Sequence, residues 1–289
     1  MSILLIINPI AGDKDKGLFL KNAKHLMKQY SVDYEVFFTT GVKDYEKVEK
    51  HINKNTPEKV IVVGGDGTLN MFLKSFIAYD LKVGFIPMGS ANGMAVELNL
   101  KESPKVLFKR YLNSKVTKQF DVLCINDTYL LLHLGDVGAN ANLVVNYDKD
   151  DSRGMLTYAK HFWSEFQNMK GFKFEIQTDE MDYERKGVML AICNGRAFGT
   201  GIALNTTGNM DDGYFELVIV KAIDFFDVLK AAISKFDDSL ELDYLETITA
   251  KGAFIKFKEP RLLQLDGEVI GKFLNLKIDV LPKAISFLK

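Results

Sequence analysis

Cysteine is scarce in this sequence, and the two cysteines present, Cys124 and Cys193, lack the Cys-x-x-Cys spacing of redox and metal motifs. A disulfide framework and a structural zinc site are therefore not expected, whereas a reducing, cytoplasmic environment is. An excess of charge of either sign is also absent, because 37 basic and 38 acidic residues leave a net charge of −1. No overall positive field favours nucleic acid, so we expect no nucleic-acid partner.

Long hydrophobic runs are missing as well. The apolar run at residues 3–7 is too short for a signal or transmembrane segment, and no basic residues precede it. We expect it to form a buried strand. What remains is an ordinary globular composition, 47% hydrophobic and 26% charged over 289 residues, which predicts one large or two medium-sized domains.

The first 118 residues alternate short β-branched runs with amphipathic segments, the pattern of a parallel sheet with helical crossovers. We predict an α/β domain over residues 1–118, with a further helix beginning near Ala91. Its other helices are predicted near residues 19–30, 45–52 and 69–77, and its strands at residues 3–7, 34–38, 60–63 and 82–86.

Beyond Lys118, strand-like runs follow one another with turns between them, which predicts an antiparallel β-sandwich or barrel over residues 119–289. Asn126-Asp127 is a typical hairpin turn between the first two runs. Two helical inserts are predicted, at residues 155–169 and 223–236. The predicted strands are residues 122–125, 129–134, 172–177, 188–193, 215–220, 254–257, 262–265 and 274–280.

Four loops after the predicted parallel strands are rich in glycine, hydroxyl and amide residues: residues 8–12, 39–41, 64–70 and 87–93. The carboxyl ends of parallel strands meet at one sheet edge, and such loops let phosphate oxygens approach backbone N–H groups closely. A single glycine pair is often only a tight turn, but four such loops favour a nucleotide site. Neither GxxxxGK[ST] nor GxGxxG occurs, so a P-loop enzyme or an ordinary dinucleotide fold is not indicated.

Two acidic positions suggest cation binding. Asp66, inside a glycine loop, would repel phosphate unless a divalent cation lies between them or the carboxylate accepts a proton; alternatively, it caps the helix that contains Leu69. Residues 209–214 could bind a hard cation through a carboxylate and turn carbonyls, or form only an acidic turn. The four histidines show no metal-ligand spacing, and we assign them no role; they are His25, His51, His133 and His161.

A third acidic motif lies near the C-terminus. Strand alternation puts Gln264 and Asp266 on one face, and Gly267 turns the chain so that Glu268 projects from the strand end. Asp-Gly-Glu is also a common surface turn, so the motif alone does not identify an active site.

A helix predicted from Pro104 has a basic side and an apolar side. Either it is a solvated helix that packs at the domain junction, or its basic side contacts anionic lipid headgroups. The basic residues are Lys105, Lys109 and Arg110, and the apolar ones are Val106, Leu107, Tyr111 and Leu112.

Taken in order, these motifs resemble the diacylglycerol kinase catalytic family, which includes soluble bacterial lipid kinases and is related to sphingosine and ceramide kinases. The resemblance spans nearly the whole chain. NAD kinases share Gly-Gly-Asp-Gly-Thr, but the Asp-Gly-Glu motif and the stretch at residues 153–158 favour the lipid kinases. The motifs are Asn8-Pro9, residues 64–70, residues 89–92, Asn194-Gly195, residues 211–213 and residues 266–268.

The resemblance implies a two-domain, ATP-dependent and Mg²⁺-requiring lipid kinase that binds ATP in a cleft between an α/β domain and a β-sandwich. It implies that Glu268 is the general base, that Asp66 positions the triphosphate through Mg²⁺, and that Asp212, with carbonyls near Asn209 and Tyr214, holds a magnesium ion. The expected substrate is diacylglycerol or a related lipid. We expect a cytoplasmic protein that contacts an anionic membrane surface peripherally, and a homodimer is possible. The residues expected to hold the nucleotide are Asn8, Pro9, Thr39, Gly64, Gly65, Gly67, Thr68, Asn70, Gly89, Ser90 and Asn92.

The sequence departs from the family at four positions. Met71 stands where a glutamate is usual, Gly93 where an aspartate is common, and Asn140 and Asn142 where acidic residues are frequent. An amine-bearing lipid is less favoured for this reason. Two alternatives stay open: an NAD kinase-like enzyme, and a nucleotide- or lipid-binding module that has lost its activity.

Overall fold

The computed structural model describes residues 2–12, 15–90, 92–138, 171–196, 205, 208–221 and 245–289. These residues belong to two compact units. The first contains the chain up to Val122 together with Leu281–Lys289, and the second contains the described residues between Leu123 and Val280. The predicted helical inserts, the stretch at residues 153–158, and Asn140 and Asn142 lie outside the described residues.

The first unit contains a parallel sheet, as predicted. Its strands are β1 (Ser2–Ile7), β2 (Asp33–Phe38), β3 (Lys59–Gly64) and β4 (Lys82–Pro87), in the order β4-β3-β1-β2. All six residues of β3 are buried, which is typical of a central strand in a parallel sheet covered on both faces. The end of the last strand of the chain adds to this sheet, because Ser286 and Phe287 pair in parallel with β4.

Six helices are described in the first unit: α1 (Lys16–Gln29), α2 (Asp44–Asn55), α3 (Asp66–Met71), α4 (Leu73–Ala78), α5 (Gly93–Glu97) and α6 (Pro104–Asn113). The predicted single helix at 69–77 is therefore two short helices, because Phe72 has non-helical backbone angles, φ −110° and ψ 4°. The helix expected near Ala91 begins at Gly93. No helix among the described residues is long and apolar enough to cross a membrane.

Packing of α1 against α6 forms part of the core of the first unit. Phe19 and Phe108 meet edge to face with ring centroids 5.7 Å apart. A buried cation closes the end of α6: the Lys59 ammonium donates hydrogen bonds to the carbonyls of Tyr111, Leu112 and Ser114, at 2.8–3.1 Å. Burial lowers the pKa of Lys59.

Antiparallel strands form most of the second unit, as predicted. The central order is β12-β11-β10-β7-β13, and β13 also pairs with β8 and β14. Asn126 and Asp127 have φ values of 51° and 54°, which confirms the predicted hairpin turn as type I′. The remaining described strands of the chain are β5 (Thr117–Ile125), β6 (Tyr129–Leu131), β7 (Leu134–Gly138), β8 (Phe172–Thr178), β9 (Asp182–Gly187), β10 (Met189–Cys193), β11 (Phe215–Val220), β12 (Leu245–Ala250), β13 (Gly252–Leu265) and β14 (Glu268–Leu288).

Several predicted strand bounds are corrected. Residues 129–134 form two strands rather than one, and 254–257 and 262–265 join into β13, which has a register shift around Pro260. Residues 274–280 belong to the longer β14. The highly charged β9 and the strand β12 were not predicted from the sequence.

The two faces of the central sheet in the second unit differ. One face supplies the hydrophobic core, with residues such as Leu190, Leu217 and Leu263. Strand alternation puts Asp136 and Gln264 on the other face, and both are buried, at 0% and 2% exposure. This buried polar pair lies two residues from the turn at Asp266.

Candidate functional site

The loops after β1 and β3 are joined where the sheet order of the first unit reverses. In the order β2-β1-β3-β4, chain connections leave β1 and β3 in opposite directions, and ligands of such sheets bind at the carboxyl ends of these strands. Asn8 follows β1, and its amide nitrogen donates to the hydroxyl of Thr68, in the first turn of α3 after β3, at 3.0 Å. Two predicted nucleotide-binding residues are thus in contact.

Backbone approaches that only glycine permits join a third loop to these two. A β-carbon on Gly89 would lie 2.4 Å from the Gly65 Cα, and one on Gly12 would lie 2.9 Å from the Met88 carbonyl oxygen. The Asn92 side chain closes this third loop, accepting from the Gly89 N–H at 3.1 Å and donating to the Gly89 carbonyl at 2.9 Å. The glycine-rich loops after β1, β3 and β4 therefore form one closely packed cluster.

The loop after β2 is held separately. The Thr39 N–H donates to the Ile7 carbonyl at 2.9 Å, and Asp44 accepts hydrogen bonds from the N–H groups of Thr40 and Gly41. Burial of Asp44 acts to raise its pKa, but these hydrogen bonds outweigh it, and the pKa is lowered.

The other residues predicted to bind the nucleotide differ in their surroundings. Pro9, Gly67 and Ser90 are exposed, and Gly64 is buried against the Thr68 side chain. The Asn70 side-chain oxygen is buried and has no hydrogen-bond partner within the described ranges. The exposed members present their groups to solvent, where a ligand could reach them.

Asp66 caps a helix, but not the one that contains Leu69. Its carboxylate accepts hydrogen bonds from the N–H groups of Gly93 and Met94, at 2.5 and 3.2 Å, and so closes the start of α5. The alternative that Asp66 caps the Leu69 helix does not hold, since Gly65 is the N-cap of α3 and Asp66 is its first residue. Gly93, one of the four departures from the family, supplies a backbone donor to this carboxylate.

The Asp-Gly-Glu motif forms a two-residue hairpin turn between β13 and β14. Asp266 and Gly267 have φ values of 48° and 91°, and Leu265 pairs directly with Glu268, which defines a type I′ turn. Glu268 is exposed, and it begins β14 rather than extending from the end of β13.

The first turn residue is anchored by its side chain. The Asp266 carboxylate accepts hydrogen bonds from three successive backbone N–H groups, those of Leu132, His133 and Leu134, at 2.9–3.0 Å. The predicted strand at 129–134 is broken here because these N–H groups bind the carboxylate instead of a neighbouring strand. On the other side of this segment, the Asn194 amide donates to the Leu132 carbonyl at 2.6 Å.

Both acids of the turn have raised pKa values. Burial is the main cause for Asp266, opposed by its hydrogen bonds to the backbone. Partial burial raises the pKa of Glu268, and the nearby negative charge of Asp266 raises it further. A carboxylate whose pKa is raised is a better proton acceptor than an ordinary surface glutamate.

Comparison with known proteins identifies the family. Residues 2–125 match the model of the diacylglycerol kinase catalytic domain, and residues 135–289 match that of the YegS C-terminal NAD kinase beta sandwich-like domain. The chain belongs to the diacylglycerol kinase family. The predicted fold class, a parallel α/β domain followed by an antiparallel β-sandwich, is confirmed.

Two relatives of this diacylglycerol kinase family member match nearly its whole length. A Salmonella arizonae protein named "Probable lipid kinase YegS" is 23% identical over 98% of this chain and 94% of its own. The crystal structure of a diacylglycerol kinase from Bacillus anthracis, 19% identical, superimposes with a TM-score of 0.73 over 99% of this chain and 96% of that one. As a member of this family, the chain is a lipid kinase.

The predicted metal residues of this family member lie in an exposed turn. The Tyr214 N–H donates to the Asp212 carboxylate at 3.0 Å, and Asn209 and Asp212 are exposed. The carboxylate and the turn carbonyls are oxygen donors of the kind Mg²⁺ prefers. Nearby, burial raises the pKa of Glu216, which accepts a hydrogen bond from Asn205 at 2.5 Å, and the charge of Asp212 adds to this effect. Among the described residues, no group of three or more His, Cys, Asp and Glu side chains could hold a metal.

The helix α6 buries part of the apolar side that was predicted for it, and the exposure of one residue differs from the prediction. Phe108 is buried, whereas Val106, predicted on the apolar side, is 51% exposed. Lys105 and Lys109 are exposed. Arg110 is not a free cation, because it pairs with Glu102 at 2.5 Å and lies over the Tyr111 ring.

Sequence reasoning missed three residues that organise these loops. Lys16 is buried and donates from its ammonium to the carbonyls of Ala11 and Gly12, which holds the loop after β1. Asp44 holds the loop after β2, and Asp136 lies beneath the turn at Asp266. No motif marks them. Lys16 and Asp44 bind loop residues that are their near neighbours in the sequence, whereas Asp136 binds Gln264, which only the folded chain brings near.

Proposed function

We propose that this protein transfers the γ-phosphoryl group of ATP to the hydroxyl of diacylglycerol or a related lipid. The observation that carries the proposal is Glu268, an exposed carboxylate with a raised pKa, presented by a type I′ turn whose Asp266 side chain accepts three backbone hydrogen bonds, in a chain of the diacylglycerol kinase family. A general base needs this combination of fixed position and proton affinity.

In this proposal the glycine-rich cluster of the first unit holds the triphosphate. The backbones around Gly12, Gly65 and Gly89 are closely packed, and glycine-rich loops of this kind let phosphate oxygens approach backbone N–H groups. Thr39 and Ser90 would add hydroxyl donors. The full set of proposed nucleotide contacts is Asn8, Pro9, Thr39, Gly64, Gly65, Gly67, Thr68, Asn70, Gly89, Ser90 and Asn92.

Glu268 would take the proton of the lipid hydroxyl as that oxygen bonds to the γ-phosphorus and the bond to ADP breaks. The products are a phosphomonoester lipid and ADP. Positioning and charge neutralisation supply most of the catalysis in such transfers.

Mg²⁺, when bound, would neutralise phosphate charge. Asp66 is the proposed residue that directs it to the triphosphate, because carboxylate oxygens are the ligands that Mg²⁺ prefers. Asp212, with carbonyls near Asn209 and Tyr214, is the proposed second location. The oxygen-only donors at both places fit a hard cation.

The reaction can be tested by incubating the protein with ATP and either a total lipid extract or NAD, with products identified by mass spectrometry. Transfer to a neutral glycerolipid is the expected result. Phosphorylation of NAD instead would establish the NAD kinase alternative, and ATP binding without any product would establish the module that has lost activity. Glu268→Gln is the matched control, in which turnover is expected to be strongly reduced.

We also propose that the protein is cytoplasmic and reaches its substrate by peripheral contact with an anionic membrane surface. Lys105 and Lys109, with the exposed Val106 between them, are the proposed contact; Arg110 contributes less because it already pairs with Glu102. Each lysine near such a surface contributes about 1 kcal/mol, so removing both should weaken vesicle binding about thirtyfold.

Vesicle co-sedimentation at low salt tests this contact. A Lys105→Ala/Lys109→Ala variant should bind anionic vesicles less than the parent, while Lys21→Ala/Lys24→Ala, which removes two exposed lysines from α1, should bind like the parent. Equal binding of all three proteins would return α6 to a purely structural role. Homodimerisation stays a hypothesis, which sedimentation velocity would test.

A further inference from the structure

A buried polar pair lies under the turn that carries Glu268. The Gln264 amide nitrogen donates to the Asp136 carboxylate at 2.6 Å, and the two residues face each other in adjacent strands, β13 and β7. Burying a carboxylate costs free energy, and hydrogen bonds offset that cost only in part. Asp136 therefore stabilises the sheet less than an apolar side chain at the same position would.

The other end of the Gln264 amide reaches the turn itself. Its side-chain oxygen accepts a short hydrogen bond from the Gly267 N–H. Gly267 has a φ of 91°, and a β-carbon added to it would have nothing within 4 Å. The bond from Gln264 is what restrains the second residue of the turn, just as Asp266 restrains the first.

Asp136 determines which way the Gln264 amide points. The Gln264 NH₂ group donates to the Asp136 carboxylate, which in its ionised form can only accept hydrogen bonds. The amide oxygen must then point to the Gly267 N–H. Without this requirement the amide could flip, which would bring NH₂ against N–H and lose the bond.

We propose that Asp136 and Gln264 are positioning residues for Glu268: the carboxylate orients the amide, the amide fixes Gly267, and Gly267 fixes the backbone from which Glu268 extends. The inference rests on the proposed function, in which Glu268 is the general base. It assigns a role in catalysis to two residues that contact neither substrate nor nucleotide.

Two variants separate positioning from folding. Asp136→Asn keeps size and an acceptor but no longer dictates the orientation of Gln264. The double variant Asp136→Leu/Gln264→Leu removes both polar partners, and replacing a hydrogen-bonded pair by apolar groups of similar shape is often nearly neutral for stability. The control is Thr178→Val, which removes the hydroxyl that accepts from Met181 and Glu180 in the β8–β9 turn of the same unit.

Turnover and hydrogen exchange are measured for each folded variant. The double variant should lose turnover about ten- to a hundredfold, the usual effect of a small misplacement of a reacting group, with an unchanged KM for ATP. Asp136→Asn should lose less. Exchange protection of the Gly267 amide should fall in both and stay at the parental level in Thr178→Val.

The decisive comparison repeats the double substitution in a Glu268→Gln background. If Asp136 and Gln264 act through Glu268, they should lower turnover no further once the carboxylate is gone. An equal loss in both backgrounds, or a folded double variant with parental turnover or parental Gly267 protection, would overturn the proposal. The proposed function fails separately, if Glu268→Gln itself keeps parental turnover.

Discussion

Asp66 in the first unit and Asp266 in the second hold their surroundings by the same device. Each carboxylate accepts hydrogen bonds from backbone N–H groups of a distant segment, two at the start of α5 and three at residues 132–134. The difference lies in what else the residue must do. Asp66 is both the anchor and the proposed charge that acts on the triphosphate, whereas Asp266 only anchors and leaves the chemistry to Glu268.

This difference shows two ways to build a reactive acid. Where one side chain serves both tasks, a substitution should affect stability and activity together. Where the tasks are divided between neighbouring residues, they should be separable by mutation. Four experiments test this comparison.

The first prediction concerns Glu268, which carries the chemistry while Asp266 provides the anchor. Glu268→Gln should lower turnover by a factor on the order of 10² to 10⁴, the usual effect of losing a general base, with the free energy of unfolding and the ATP affinity close to parental. Steady-state kinetics, nucleotide titration and urea unfolding measure the three quantities. A variant that loses ATP binding but keeps turnover would place Glu268 in the nucleotide pocket instead.

The second prediction concerns Asp66, where one side chain serves both as anchor and in the chemistry. Asp66→Asn should nearly abolish phosphoryl transfer at saturating Mg²⁺ and also lower the free energy of unfolding by about 1–3 kcal/mol. An amide presents one acceptor, so its NH₂ group opposes either the Gly93 or the Met94 N–H. Parental stability would show that α5 does not depend on this carboxylate, and parental turnover would remove Asp66 from the chemistry.

The third substitution removes the carboxylate of Asp266, which anchors the turn that carries Glu268. Asp266→Asn should lower the free energy of unfolding by about 1–3 kcal/mol, because a backbone N–H of residues 132–134 loses its acceptor. The control is Asp127→Asn in the other type I′ turn, where the carboxylate makes an exposed ion pair with Lys277 at 2.8 Å, of a kind that contributes under about 1 kcal/mol. Equal losses in the two variants would contradict the anchoring role of Asp266.

The smallest expected effect is on the pH dependence of stability. The folded-state pKa of Asp44 is lowered, so its contribution is present above the ordinary value of 3.8 and is lost as the pH falls through its folded-state pKa. The pKa values of Glu216 and Asp266 are raised above 4.5 and 3.8, so their ionisation costs stability at neutral pH. That cost is relieved as the pH falls through the raised values.

Urea unfolding of the parent, Asp44→Asn and Glu216→Gln between pH 3 and 7 measures these contributions. The stability difference between the parent and Asp44→Asn should shrink below pH 3.8. The gain on acidification from neutral pH should be smaller in Glu216→Gln. Parallel curves for all three proteins would show that these carboxyl groups are not perturbed by folding.

Much of the fold was predictable from local pattern. Alternating apolar runs located all four strands of the parallel sheet, and the Asn126-Asp127 turn was confirmed because both residues tolerate positive φ. The charged strand β9 escaped prediction because its sequence, Asp-Tyr-Glu-Arg-Lys-Gly, carries almost no apolar signal. It forms a strand by pairing with β8, a neighbour that supplies its hydrogen bonds.

The sequence by itself determined the chemical inventory: glycines where backbones must meet, a carboxylate in a phosphate-type loop, and an Asp-Gly-Glu turn. Those depend on residue identity and spacing along the chain. Only the tertiary structure decided which partner each acid takes. Asp66 binds α5 rather than capping the helix of Leu69, and Asp266 binds residues 132–134. Asp136 lies beside Gln264, 128 residues away, because a hydrogen bond depends on distance in space and strand pairing sets that distance.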